Sequence, residues 1–335
     1  MAEEYLKETA PTTKGGLDYL DSSDIDIDCT KPINQESYYP LCIFLVSTLL
    51  LNISAKYLIA YYDVTPFEII YMRGMVSSIL SMIYLKYHDI YIFSVPIEKS
   101  NLLLVGSLAG FIAMSGFCLA LYYLSIVDAF AIDALTMIAA LIVDYALFNT
   151  TLRFFQMIGI LSSILGLIIL SRPLYILSST EDPNRSLFTL GIIGGIIGAI
   201  FSGLYGGLLR HMFNTVHIHV LFAFMQFTIA FFAPCFAIIH FFIKDEPTTY
   251  TFGSFLGLLL VGALGWVVHW SLAQTLKKEK IVSRVFQFKY PLVVLGIIAD
   301  LIIFHMGITL SSIFGITLMG ANCGIILYYL CLATN

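Results

Sequence analysis

Long apolar runs follow one another from residue 40 nearly to the end of the chain, separated by short polar breaks. A helix needs about 20 mostly apolar residues to cross a bilayer. Ten stretches meet that length: 40–61, 65–86, 101–123, 126–148, 152–171, 188–210, 217–242, 252–275, 281–303 and 307–332. The turns at 123–126 and 303–307 are very short. Transmembrane strands would alternate over about ten residues. These runs are apolar on all faces, which argues against a β-barrel. The expected fold class is an all-α polytopic membrane protein with ten transmembrane helices.

Composition agrees with lipid as the solvent. The chain has 335 residues, 59% of them hydrophobic and 12% charged, against about 25% charged in a typical soluble domain. Its net charge of −5 misleads if read globally. Much of it sits in residues 1–38, which hold Glu3, Glu4, Glu8, Asp18, Asp21, Asp24, Asp26 and Asp28. That stretch has no apolar run and does not read as a cleaved signal. It reads as a disordered acidic cytosolic tail. Ser22 and Ser23 in DSSDIDID offer an acidic context for phosphorylation. The cysteines, Cys29, Cys42, Cys118, Cys235, Cys323 and Cys331, form no Cys-x-x-Cys pair and mostly lie in apolar segments. They suggest small hydrophobes, with no disulfide framework or zinc site.

Basic residues near the ends of spans set orientation. With the N-terminus inside, the cytosolic side holds Lys86, Lys99, Arg153, Arg210, Lys277, Lys278 and Lys280. The opposite side holds Arg172, Arg185 and Lys244. Both termini are therefore expected in the cytosol, with the particular membrane left open.

The two halves can be laid side by side. CLALYYLSIVDAFAIDALTMIAALIVDYALF from Cys118 pairs with SLAQTLKKEKIVSRVFQFKYPLVVLGIIADLIIF from Ser271, once a one-residue gap is allowed. Each places a Leu-Ala at the end of one span, then a short turn, then another span. Five helices per half is odd, so the halves would insert in opposite senses as inverted repeats. Such repeats hold a binding site near mid-membrane. The division expected is a tail at 1–38, a five-helix repeat at 39–173, a loop at 174–187 and a second repeat at 188–335.

Three stretches carry a resemblance to a known family: TPFEIIYMRGMVSSIL at 65–80, GFCLALYYLSIVDAFAIDALTMIAALIVDYALF at 116–148, and QMIGILSSILGLIILSRP at 156–173. The order recurs in the second half, ending in GITLMGANCGIILYY. The chain resembles the drug/metabolite transporter superfamily, in its EamA-like branch of solute-carrier type, over about residues 40–332. The resemblance implies exchange or proton-coupled movement of metabolites, and a cavity lined by the fourth and ninth helices. It departs from the family at Met137, where a proline is usual, and near Thr150, where a glutamate is usual; Pro291 is kept.

Ionisable groups within the spans are the most informative residues. Each costs about 2.5–3.5 kcal/mol at a helix centre on insertion scales, so each is expected to face a cavity or a partner. They are Lys56, Arg73, Asp133, Asp144, Arg284, Lys289 and Asp300. Asp133 and Asp144 are eleven residues apart, as are Lys289 and Asp300, so each pair falls on nearly one helix face. Arg73, Asp133 and Lys289 are expected to bind solute. Asp144, Arg284 and Asp300 are expected as gating or ion-pair residues, with Asp144 reaching Arg284. Buried pairs that only fix helix packing are the bland alternative. Lys56, near a helix end, is expected to snorkel to the interface.

Weaker features complete the picture. Trp266, His269 and Trp270 share one helix face, and the two tryptophans are added to the solute site as an aromatic wall, with plain packing as the alternative. His211, His217 and His219 crowd one loop without a carboxylate or cysteine at ligand spacing, so no metal is expected. The glycines of span six suggest close helix packing. No Gly-x-Ser-x-Gly, His-Glu-x-x-His or P-loop occurs, and Asp144 and Asp300 lack the context of an intramembrane protease. The function expected is secondary-active transport of a small polar organic metabolite, with an anionic solute favoured, by alternating access. The alternative is a membrane scaffold or receptor that keeps the fold without transporting. No enzyme activity, cofactor or nucleic acid is expected. The expected partners are a solute and the bilayer, with a homodimer left open.

Overall fold

The computed structural model describes residues 35–91, 97–148, 183–213, 216–243, 251–279 and 281–305, with short pieces between 161 and 169 and between 313 and 318. Its elements run α1 (Gln35–Tyr62), α2 (Pro66–Tyr87), α3 (Ile97–Tyr123), α4 (Ile126–Asp133), α5 (Thr136–Phe148), α6 (Pro183–Met212), α7 (Ile218–Ile243), α8 (Phe252–Lys278), α9 (Val282–Gln287) and α10 (Tyr290–Ile302). Among the described residues every one of these elements is a helix.

Seven stretches there are long and apolar enough to cross a membrane: α1, α2, α3, α4 with α5, α6, α8, and α9 with α10. Within α7 a shorter apolar stretch covers His219–Pro234. The protein is an integral, multi-pass membrane protein. Apart from those short pieces, the expected spans at 152–171 and 307–332 lie outside the described residues, as does nearly all of the acidic tail. Large apolar side chains such as Ile79, Leu104, Ile193, Phe231 and Leu260 are exposed, as a surface solvated by lipid tails requires.

Local sequence explains the helix starts. At the head of α2, the Thr65 hydroxyl accepts from the Glu68 N–H, and the Glu68 carboxylate accepts from the Thr65 N–H at 2.7 Å. This capping box, with Pro66 at the first helical position, satisfies donors that have no partner within the helix. Ser125 caps α4 and Thr251 caps α8 in the simpler way.

Glycines fix how closely α3 and α6 approach. A methyl group on Gly198 would lie 2.8 Å from the Phe117 nitrogen, and one on Gly116 would collide with the Gly194 carbonyl. The two backbones are in direct contact, which only small residues permit. The glycine-rich sixth span is thus a packing face.

Two spans are interrupted at mid-length. The first breaks at Ala134 and Leu135, where Met137 and Ile138 donate to carbonyls three residues back. The second breaks at Phe288 and Lys289, where both N–H groups also reach three residues back. Pro291 explains the second break, since it lacks an N–H and cannot sit inside a helix without clash. The first has no proline, and Met137 lies just beyond it. There the Thr136 hydroxyl donates to Asp133 at 3.1 Å, and the Asp133 carboxylate is drawn across to Lys289.

Candidate functional site

The breaks face each other. Lys289 Nζ lies 2.9 Å from Asp133 Oδ2 and donates to Oδ1 at 3.0 Å. It also donates to the Thr136 hydroxyl at 3.4 Å and sits 4.9 Å over the Phe286 ring. Both ionic side chains are buried. A residue separation of 156 divides Asp133 from Lys289. The same separation divides Asp144 from Asp300 and Ile126 from Val282.

Those aspartates latch the two ends of the interrupted pair. Asp144, in α5, accepts from the N–H groups of Val282 at 3.3 Å and Ser283 at 2.8 Å, at the start of α9. Asp300, in α10, accepts from Ile126 at 3.2 Å and Val127 at 2.9 Å, at the start of α4. Each carboxylate is 1% exposed. It supplies negative charge where the first N–H groups of a helix lack acceptors. Because α4 starts one interrupted span and α5 ends it, the latches lie at opposite ends of the pair.

This corrects the expected ion pair between Asp144 and Arg284. Asp144 turns to backbone, while Arg284 lies 3.6 Å from Glu279 at the end of α8. A buried carboxylate gains more from two fixed N–H groups than from a long side chain that must also be ordered. Lys56 does not snorkel either. It is 5% exposed and donates to the carbonyls of Leu121 at 2.8 Å and Leu124 at 2.6 Å, at the C-terminus of α3.

Beside the breaks lies a cavity of about 90 Å³. Its polar wall includes Asn52, Arg73, Asp133, Tyr205, His269 and Lys289, and its apolar wall includes Phe117, Met225 and Phe286. Arg73, Asp133 and Lys289 are thus brought together. Arg73 reaches the cavity over Gly265, where a methyl group would lie 2.7 Å from its Nε. Its Nη2 is 3.0 Å from His269 Nε2. Among the described residues no carboxylate forms an ion pair with it.

The tryptophans are elsewhere. Trp266 and Trp270 stack on one another at 6.3 Å and stand outside the cavity wall. Trp266 packs instead near Tyr84 and Phe222, at 5.9 and 6.3 Å. The residue on their face that does line the cavity is His269, which the sequence reading did not include in the site. The glycine one turn earlier, Gly265, was the signal, since it opens room for a long side chain from the neighbouring helix. Beyond these, His219 Nε2 is 3.2 Å from the Tyr84 hydroxyl.

Residues 39–172 match the model of the EamA-like transporter family. That stretch, less than half of the chain, is similar to the EamA-like transporters, in line with the resemblance that the three motif stretches carry. Among curated proteins nothing matches the sequence. A solved structure, described only as the crystal structure of a protein, is 14% identical, with a TM-score of 0.59 over 87% of this chain and 95% of that one. At that identity the likeness speaks to fold alone, and it extends well past the EamA-like stretch.

Proposed function

We propose that the protein is a secondary transporter of a small polar organic metabolite, with anionic character, working by alternating access. The EamA-like family supports the transporter and its small-molecule solute. The finer reading rests on one observation: a cavity that Asp133 and Lys289 reach from the breaks of two interrupted spans, each span latched at one end by a carboxylate of the other. Interrupted spans in matching positions of two halves mark binding sites in transporters built from inverted repeats. The shared 156-residue separation supports such a repeat. Opening one latch would free the cavity towards one side while the other stays shut.

Asp133, Lys289 and Arg73 form the binding machinery in this reading, and Asp144 and Asp300 the gates. Arg284 belongs with Glu279 near the Asp144 latch. Basic bias keeps both termini on the cytosolic side.

Counterflow tests the reading. Metabolites that raise the melting temperature of the purified protein are loaded into liposomes carrying it. Labelled solute should then accumulate transiently against its gradient. Solutes that bind but never move across would turn the protein into a receptor or scaffold.

A further inference from the structure

The pairing of Arg73 with His269 limits the chemistry of the cavity. A guanidinium carries only donors. In the bond of 3.0 Å, His269 Nε2 must therefore accept, which leaves the ring neutral with its proton on Nδ1. Among the described residues, that buried Nδ1 has no hydrogen-bond partner, and neither has Arg73 Nε. Arg73 itself is 7% exposed. A buried guanidinium with an unmet donor is short of an acceptor, and Arg73 lines the cavity.

Charge sets the kind of acceptor. The charged side chains on the cavity wall are Arg73, Lys289 and Asp133. Lys289 and Asp133 cancel at 2.9 Å, and a neutral His269 adds nothing. One positive charge, on Arg73, is left in a buried space. A single negative charge neutralises it, whereas a dianion replaces one buried excess charge with another. Around His269, Tyr205 lies edge-on at 6.3 Å and Phe222 at 6.0 Å.

We propose that Arg73 and His269 form a clamp for one monoanionic group of the solute, a carboxylate or its equivalent, and that Lys289 does not hold the anion. The clamp deepens the transporter reading by fixing the charge of its solute. The guanidinium supplies the charge. His269 positions it through Nε2. The cavity of about 90 Å³ has room for a group the size of several waters.

Binding of simple anions to the full chain in detergent tests this without any transport. Acetate and sulfate are titrated at pH 7.5 by calorimetry, with thermal shift as a second readout. Wild type should bind acetate at least tenfold more tightly than sulfate. Arg73→Gln should lose acetate binding. His269→Leu should weaken it at least tenfold, and His269→Gln, which keeps an acceptor and a donor, should recover much of that loss. Asp133→Asn uncovers the charge of Lys289 and should move the preference towards sulfate. If wild type binds neither ion, binds sulfate as tightly as acetate, or keeps acetate affinity in Arg73→Gln, the clamp is wrong. Should a folded Asp133→Asn protein keep its preference for acetate, the charge rule fails. A clamp that passes in a protein negative in counterflow would overturn only the transport reading.

Discussion

The two interrupted spans solve one geometric problem with different residues. The span of α4 and α5 breaks without a proline, at Ala134 and Leu135, and carries Asp133 beside the break. The span of α9 and α10 breaks before Pro291 and carries Lys289 at the equivalent position. Their far ends are alike, with Asp144 and Asp300 each accepting two backbone N–H groups from the other span. Where the requirement is to satisfy backbone at a helix start, both spans use the same side chain. Where it is to balance charge in the middle, they use opposite ones. A helix start demands the same cap in either span, while a shared centre demands complementary partners.

The sharpest way to break this comparison is at the centre. Lys289→Leu leaves Asp133 buried and alone, and Asp133→Leu does the same to Lys289. Each should cost about 3–5 kcal/mol, and the double replacement by leucine should recover most of it. Reversible unfolding in detergent reads this directly. Equal losses in single and double variants would mean that the pair is not a unit.

The latches come next. Asp144→Ala and Asp300→Ala each orphan two backbone donors, and each should cost about 2–6 kcal/mol at roughly 1–3 kcal/mol per donor. The two losses should be alike. A much smaller loss at one end would identify that end as already open in solution.

Smaller effects test the origin of the breaks. Pro291→Ala should cost under about 1 kcal/mol, because the opposite span holds its break without a proline. Thr136→Val should cost about 1 kcal/mol, through its bond to Asp133. A gain in stability in Pro291→Ala would show that the proline holds its span open against a preference for continuous helix. The smallest quantity expected is a coupling. Asp144→Asn and Arg284→Gln should be additive within about 0.5 kcal/mol, since each meets a different partner. A clear rescue in that double variant would restore the ion pair expected from sequence.

Much of this protein is set by its amino-acid order alone. Lipid excludes unpaired backbone, so apolar runs of span length have to be helices, and their ends can be counted off the chain. TPFE at 65–68 specifies the start of α2, and the glycines of the sixth span specify a close neighbour, though not that the neighbour is α3. The EamA-like character of residues 39–172 was legible in its motif stretches. Charges inside spans announced that they had work to do, since lipid does not tolerate them idle. Which charge meets which was decided by the tertiary structure. Asp144 has the same composition and context whether it faces Arg284 or the start of α9. Only the packing of the two interrupted spans puts backbone donors within 2.8 Å of it. His269 looks like packing until Arg73 arrives from α2 over Gly265. Sequence fixes the cost of burying a group, and the fold alone supplies the partner that repays it.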